Sequence, residues 1–414
     1  MQGNGYVKNE KLNVKNMSVS SISDTGIILN ELKKTSFTKR RTNYVISSPA
    51  HSLIALFQQV ESNDAFEVLK KEGLPELRRL FSEGKAHPQN YESELMLILK
   101  ILALYKQKSD AVFITDLLKE GFLSDEFMWS IIFRTFDEKH PYLKFVLGEL
   151  KVTLPQGFAC VAYLDFVNRH VIEGRINSHS FNTKIGVKKL IEFFQDKDKN
   201  HFSYAFSAAT ALPFLSLDNQ DQLFPLANRH PDALVRLESA WAMTKVGKET
   251  GLKELQKWAK DVKYSKIACE YLKELNLKDK IPDEVKGKNF KAMAEMCSWL
   301  SHPNEFGEPP TKIELFDKRV LFWPPTNDKR TVWLFKYEYP PYEDGEDLVK
   351  GISMVGSVTF ALFGEAKVDL SPEDVYGLHC VWELELNEDE RAPTNRTKEA
   401  GRKILKKFNP GSGF

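Results

Sequence analysis

A chain of 414 residues with 42% apolar and 28% charged side chains holds enough material for two folded units and excludes gross disorder. The formal net charge of +1 removes any whole-molecule attraction to nucleic acid or an anionic membrane, so a charged surface has to be local. No apolar run of roughly 18 residues and no secretory start occur, and the four cysteines form no CxxC pair. The expectation is a cytoplasmic protein with reduced thiols, no metal and no cofactor.

In chain order, residues 1–45 are rich in Asn, Ser, Thr and Lys and read as a flexible tail, in which Lys39, Arg40 and Arg41 form a solvated basic run. Residues 46–308 read as helices, with apolar side chains at three- and four-residue steps. The stretch VRLESAWAMTKVGKETGLKELQKWAKD predicts two amphipathic helices parted at Gly247, the first opened by Pro231 and Asp232. In the second, Leu252, Leu255, Trp258, Ala259 and Val262 share a stripe, while Lys253, Glu254, Lys257 and Lys260 face water.

The hairpin recurs. SAWAMTKVG at 239–247 superposes on AATALPFLS at 208–216 and on ACEYLKELN at 268–276, in steps of roughly 30 residues. GLKELQKWAKD at 251–261 matches GVKKLIEFFQD at 186–196, and GLPELRRLF at 73–81 opens the same way. Ala209, Ala240 and Ala242 stand where a larger side chain would hold neighbouring helices apart. With Asp232, the Val235-Arg236 pair and Gly247, residues 186–276 resemble HEAT-like repeats of the short bacterial, PBS-lyase-like type. The resemblance implies a right-handed, armadillo-like α-solenoid that binds protein or nucleic acid on a curved surface.

Residues 309–414 change period and predict a small α+β domain with a mainly antiparallel sheet. KNFKAMAEMCSWL just before them reads as a helix capping the repeats. In RTVWLFKYEY, Trp333, Phe335, Tyr337 and Tyr339 alternate with Val332 and Leu334, giving a strand with one aromatic face. Further strands are expected at 313–323 and 355–363. SPEDVYG reads as one helical turn closed by Gly377, and Leu378, Cys380, Trp382, Leu384 and Leu386 as the apolar face of a fourth strand. RTKEAGRKILKKF is a final, basic helix.

On that fourth strand His379, Glu383 and Glu385 would share a polar face and are the catalytic candidates, set against the plainer reading of a solvated edge. Trp323 in LFWPPTNDKR is a candidate binding residue if the loop is rigid and exposed, and a hairpin connection otherwise. The leading function is a non-enzymatic scaffold that captures a protein or peptide. One alternative is a nucleic-acid clamp using Lys188, Lys189, Lys253, Lys257 and Lys260, diluted by Glu192 and Glu254. Another is a ligand-binding or enzymatic C-terminal domain targeted by the repeats.

Overall fold

In the computed structural model, residues 19–38, 48–341, 347–357, 361–363, 369–394 and 397–414 are described. The basic run Lys39 to Arg41 lies outside them. The chain divides into two units, Met1–Val235 and Arg236–Phe414. It is mostly helical, with a small antiparallel sheet near the C-terminus.

The first unit holds α1 (Ile22–Lys34), α2 (Pro49–Ala55), α3 (Asn63–Val68), α4 (Leu74–Gly84), α5 (Pro88–Leu104) and α6 (Lys108–Glu120). It continues through α7 (Met128–Thr135), α8 (Leu143–Val152), α9 (Gly157–Ile172), α10 (Lys184–Gln195), α11 (Phe202–Ala211) and α12 (Leu217–Asn228). Helix α1 corrects the expectation of a flexible tail over residues 1–45. Ser21 and Asp24 form a reciprocal cap, the Asp24 carboxylate accepting the Ser21 N–H at 2.9 Å and the Ser21 hydroxyl accepting the Asp24 N–H at 3.3 Å. Ile28, Leu29 and Leu32 then bury one face. Composition averaged over 45 residues hid one short amphipathic turn pattern.

Packing within this unit follows an alternation. Helices α5, α7, α9 and α11 contact one another in succession, while α6 meets α8 and α10 meets α12. Successive hairpins therefore contribute one helix to each of two rows. Ala205, Ala208, Ala209 and Ala211 are all fully buried in α11, where small side chains let its neighbours approach.

At the junction begins α13 (Ala233–Lys245), followed by α14 (Glu249–Lys260), α15 (Ser265–Glu274) and α16 (Lys288–Leu300). Asp232 caps α13, its carboxylate accepting the N–H groups of Leu234 at 2.8 Å and Val235 at 3.0 Å. Gly247 ends it with φ +81°, a conformation that disfavours any side chain. In α14, Leu255 and Ala259 are fully buried while Lys253, Lys257 and Lys260 are exposed.

The sheet runs β1 (Lys312–Trp323), β2 (Asp328–Tyr339) and β3 (Val349–Val355), with a short β4 (Ala361–Phe363), in that spatial order and antiparallel throughout. The strand expected at 355–363 is therefore two segments, with residues 358–360 outside the described set. Both faces of β2 are covered. Phe335, Tyr337 and Tyr339 pack on Ala292, Met296 and Leu300 of α16. Val332 and Leu334 face α17 (Pro372–Leu386) and α18 (Lys398–Phe408) through Val375, Tyr376, Cys380, Leu384 and Leu405. Helix α16 belongs to the sheet's core as well as to the helices before it.

Helix α17 overturns the expected fourth strand. Ser371 caps it, its hydroxyl accepting the Asp374 N–H at 3.3 Å, with Pro372 and two acids in the first turn. The buried positions Val375, Tyr376, His379, Cys380, Glu383 and Leu384 follow helical steps. Gly377, expected to close a turn, lies inside the helix. A Cβ on Gly401 of α18 would fall 2.2 Å from the Gly377 carbonyl oxygen, so the pair of glycines is the notch through which the two helices cross.

Candidate binding cleft

Three residues singled out from the sequence meet beneath the sheet. The Trp323 indole N–H donates to Glu383 Oε2 at 2.5 Å, and Glu383 Oε1 lies 2.9 Å from His379 Nε2. Helical spacing brings His379 and Glu383 together at i and i+4. The His379 ring sits between the indoles of Trp323 and Trp382, at 6.1 and 5.5 Å between centroids. Glu385 is displaced to another side of the helix and is half-exposed, which removes it from the pair. Trp323 is fully buried, and LFWPPTNDKR is the hairpin connection between β1 and β2, with Asn327 at φ +54°, not an exposed aromatic loop.

The chemistry of this cluster is set by one nitrogen. Ser357 Oγ also approaches His379 at Nε2, at 3.0 Å. A serine nucleophile needs the imidazole to accept its proton at one nitrogen while an acid holds the other. Here serine and acid share Nε2, and the imidazole and carboxylate are only 2% and 1% exposed. The arrangement ties the end of β1, the segment after β3 and α17 together. Among the described residues no group of three or more His, Cys, Asp or Glu is placed to hold a metal ion.

The lysines expected to form a cationic track are mostly ion-paired. Lys253 meets Glu249 at 2.8 Å, Lys257 meets Glu254 at 3.7 Å, Lys260 meets Glu284 at 2.9 Å and Lys189 meets Glu192 at 2.9 Å. Exposed and screened as they are, these pairs leave little net field. Lys188 is exposed on α10, on the first unit, whereas Lys253, Lys257 and Lys260 stand on α14 of the second.

A different site emerges in the second unit, where α15, the short turns after it and the start of α16 enclose a cleft of about 470 Å³. Its floor is apolar: Ile281, Val285, Phe290 and Ala294, with the partly exposed thiol of Cys269. Five lysines against two glutamates line it. Lys286 is held by Asp283 at 2.5 Å, whereas Lys266, Lys273, Lys278 and Lys291 form no ion pair among the described residues.

No family model, curated protein or solved structure matches this chain. The cleft is therefore read from its own geometry. Its volume falls in the range of formed binding sites, and free ammonium groups above an apolar floor favour an anionic, amphipathic occupant. Sequence reasoning passed over these lysines because a count of charges does not separate paired from unpaired ones. A signal was present nonetheless: Lys266, Cys269, Glu270 and Lys273 stand at i, i+3, i+4 and i+7 on α15, one face of one helix.

Proposed function

We propose that this chain is a non-enzymatic binding protein of the cytoplasm, in which HEAT-like helical hairpins stack as a right-handed solenoid and the α15–α16 cleft captures an acidic, amphipathic segment of a partner protein. The single observation that carries this reading is the cleft itself: an apolar floor under four lysines that form no ion pair among the described residues, against two glutamates. The two-row alternation of α5 to α12 supports the solenoid, since hairpins that cannot bury their apolar faces alone must stack in that way. Four free cysteines support the compartment. Apolar side chains of the segment enter between the lysines and displace water from Phe290 and Ile281, while its carboxylates set orientation and speed encounter.

The test uses the full chain and a fluorescein-labelled helical peptide with two leucines one turn apart, flanked by glutamates. Fluorescence anisotropy is expected to show binding that weakens with salt. Lys273→Glu combined with Lys291→Glu should weaken it at least about tenfold, and Phe290→Ser, which alters no charge, should weaken it without changing the salt slope. Equal affinity of the charge-reversed chain for the peptide would overturn the assignment. Capture of a polyphosphate or RNA in place of the peptide would do so as well.

A further inference from the structure

The first unit carries a second surface of opposite character. Phe127, at the entry to α7, is 65% exposed, an unusual position for a large aromatic ring. It begins a ladder of rings drawn from separate segments. Phe127 stacks on Phe158 of α9 at 5.9 Å, Phe158 leans on Tyr204 of α11 at 6.4 Å, and Tyr204 stacks on His201 at 4.8 Å with 13° between planes. Buried Phe193 of α10 closes the base against Tyr204 at 5.7 Å.

Carboxylates flank the ladder at its open end. Asp125 accepts the N–H of Phe158 at 3.3 Å, which fixes it beside the rings. Glu126 is next to Phe127; burial first, then Glu92 of α5 and Asp125, push its carboxyl up to about 7. Acids that oppose one another's ionisation mark a site short of positive charge. Burial pushes the Tyr204 hydroxyl upward, and Asp125, Asp196 and Asp198 add to it, so acids face the ladder from both sides. Lys197 and Lys199 alternate with Asp196 and Asp198 and cancel that loop's charge. The uncompensated charge is that of Glu92, Asp125 and Glu126, none of which is ion-paired among the described residues.

We infer that this face docks an arginine-rich segment of a partner protein, with guanidinium groups stacked on Phe127 and Phe158 and paired with the carboxylates of Asp125, Glu126 and Glu92. Arginine fits better than lysine for two reasons. Its planar cation lies flat on a ring, and its forked N–H groups engage a carboxylate at two points while the ring contact is kept. The surface is distinct from the lysine-rimmed cleft in position and in sign.

The probes are two labelled peptides of equal length and charge, glycine alternating with arginine in one and with lysine in the other, titrated against the full chain. The arginine peptide is expected to bind about tenfold more tightly than the lysine peptide. Phe127→Ala should remove that preference, and Phe127→Leu, which keeps an apolar contact with Phe158 but no ring, should remove it too. Glu92→Gln with Glu126→Gln should weaken both peptides and flatten the salt dependence. Lys273→Glu with Lys291→Glu should leave both affinities unchanged, which separates this surface from the cleft. Equal binding of the two peptides, or an arginine preference that survives both Phe127 variants, would overturn the inference.

Discussion

Gly401→Ala tests how tightly α17 and α18 are joined. Alanine is the better helix former, and by propensity alone the change should stabilise an interior helical position by about 1 kcal/mol. The structure reverses that sign. The added methyl would lie 2.2 Å from the Gly377 carbonyl oxygen and 2.3 Å from its carbonyl carbon, both backbone atoms that no rotamer change can move aside. To restore ordinary contact the helices must part by roughly 1 Å, loosening the packing of Leu405 and Tyr376 against the sheet. Overpacking of this kind costs about 1–3 kcal/mol, and a clash with two backbone atoms puts it at the upper end, so the net effect is a loss of about 2 kcal/mol. Gly148→Ala in α8 is the control, because nothing lies within 4 Å of its added methyl and the propensity gain stands alone. Urea unfolding gives the two energies, and hydrogen exchange locates the loss in α17 and α18. If Gly401→Ala unfolds at the same or higher urea than the parent, the close crossing of the helices is refuted.

Glu383→Ala removes the acceptor of the Trp323 indole N–H and leaves a void beneath the sheet, and should cost about 2–4 kcal/mol; Glu383→Gln, which keeps one acceptor, should cost less. Equal urea midpoints for the two variants would rule out the hydrogen bond as the main contribution. Glu126 predicts a pH dependence. Its folded carboxyl is raised from 4.5 to about 7, so between those values the folded state holds a proton the unfolded chain has lost, and stability falls as pH rises through that window. Glu126→Gln should therefore match the parent near pH 4 and melt higher near pH 8, by a small margin because solvent screens a half-exposed group. A constant offset across the range would dismiss the shift.

Periodicity carried much of the fold and failed where two periods coincided. The helices from α13 to α15, the caps at Asp232 and Ser371, and the aromatic face of β2 were all legible, because each rests on local chemistry. Leu378, Cys380, Trp382, Leu384 and Leu386 alternate as a strand would, yet only Cys380 and Leu384 among them are fully buried in the helix that forms. The strand-like pattern was accidental, and Gly377 strengthened it by looking like a stop. Only the partner glycine on α18, outside any local window, reveals why a glycine is needed there. The meeting of Trp323 with Glu383 spans 60 positions and was equally beyond local reading, although both residues had been singled out separately. Charge was the least legible property. Lys253 follows Glu249 by four residues and Lys273 follows Glu270 by three, so both look paired in sequence, and only the structure shows that the first pair forms and the second does not.

Helix α16 has two sides with different duties. Phe290, Lys291, Ala294 and Glu295 line the cleft, while Ala292, Met296 and Leu300 lie against Phe335, Tyr337 and Tyr339 of β2. A chain cut near residue 308 would keep the helix and strip its inner side of cover, exposing Met296 and Leu300 to water. The cleft and the sheet consequently share one helix, and a change that unseats α16 from the strands reshapes the cleft as well.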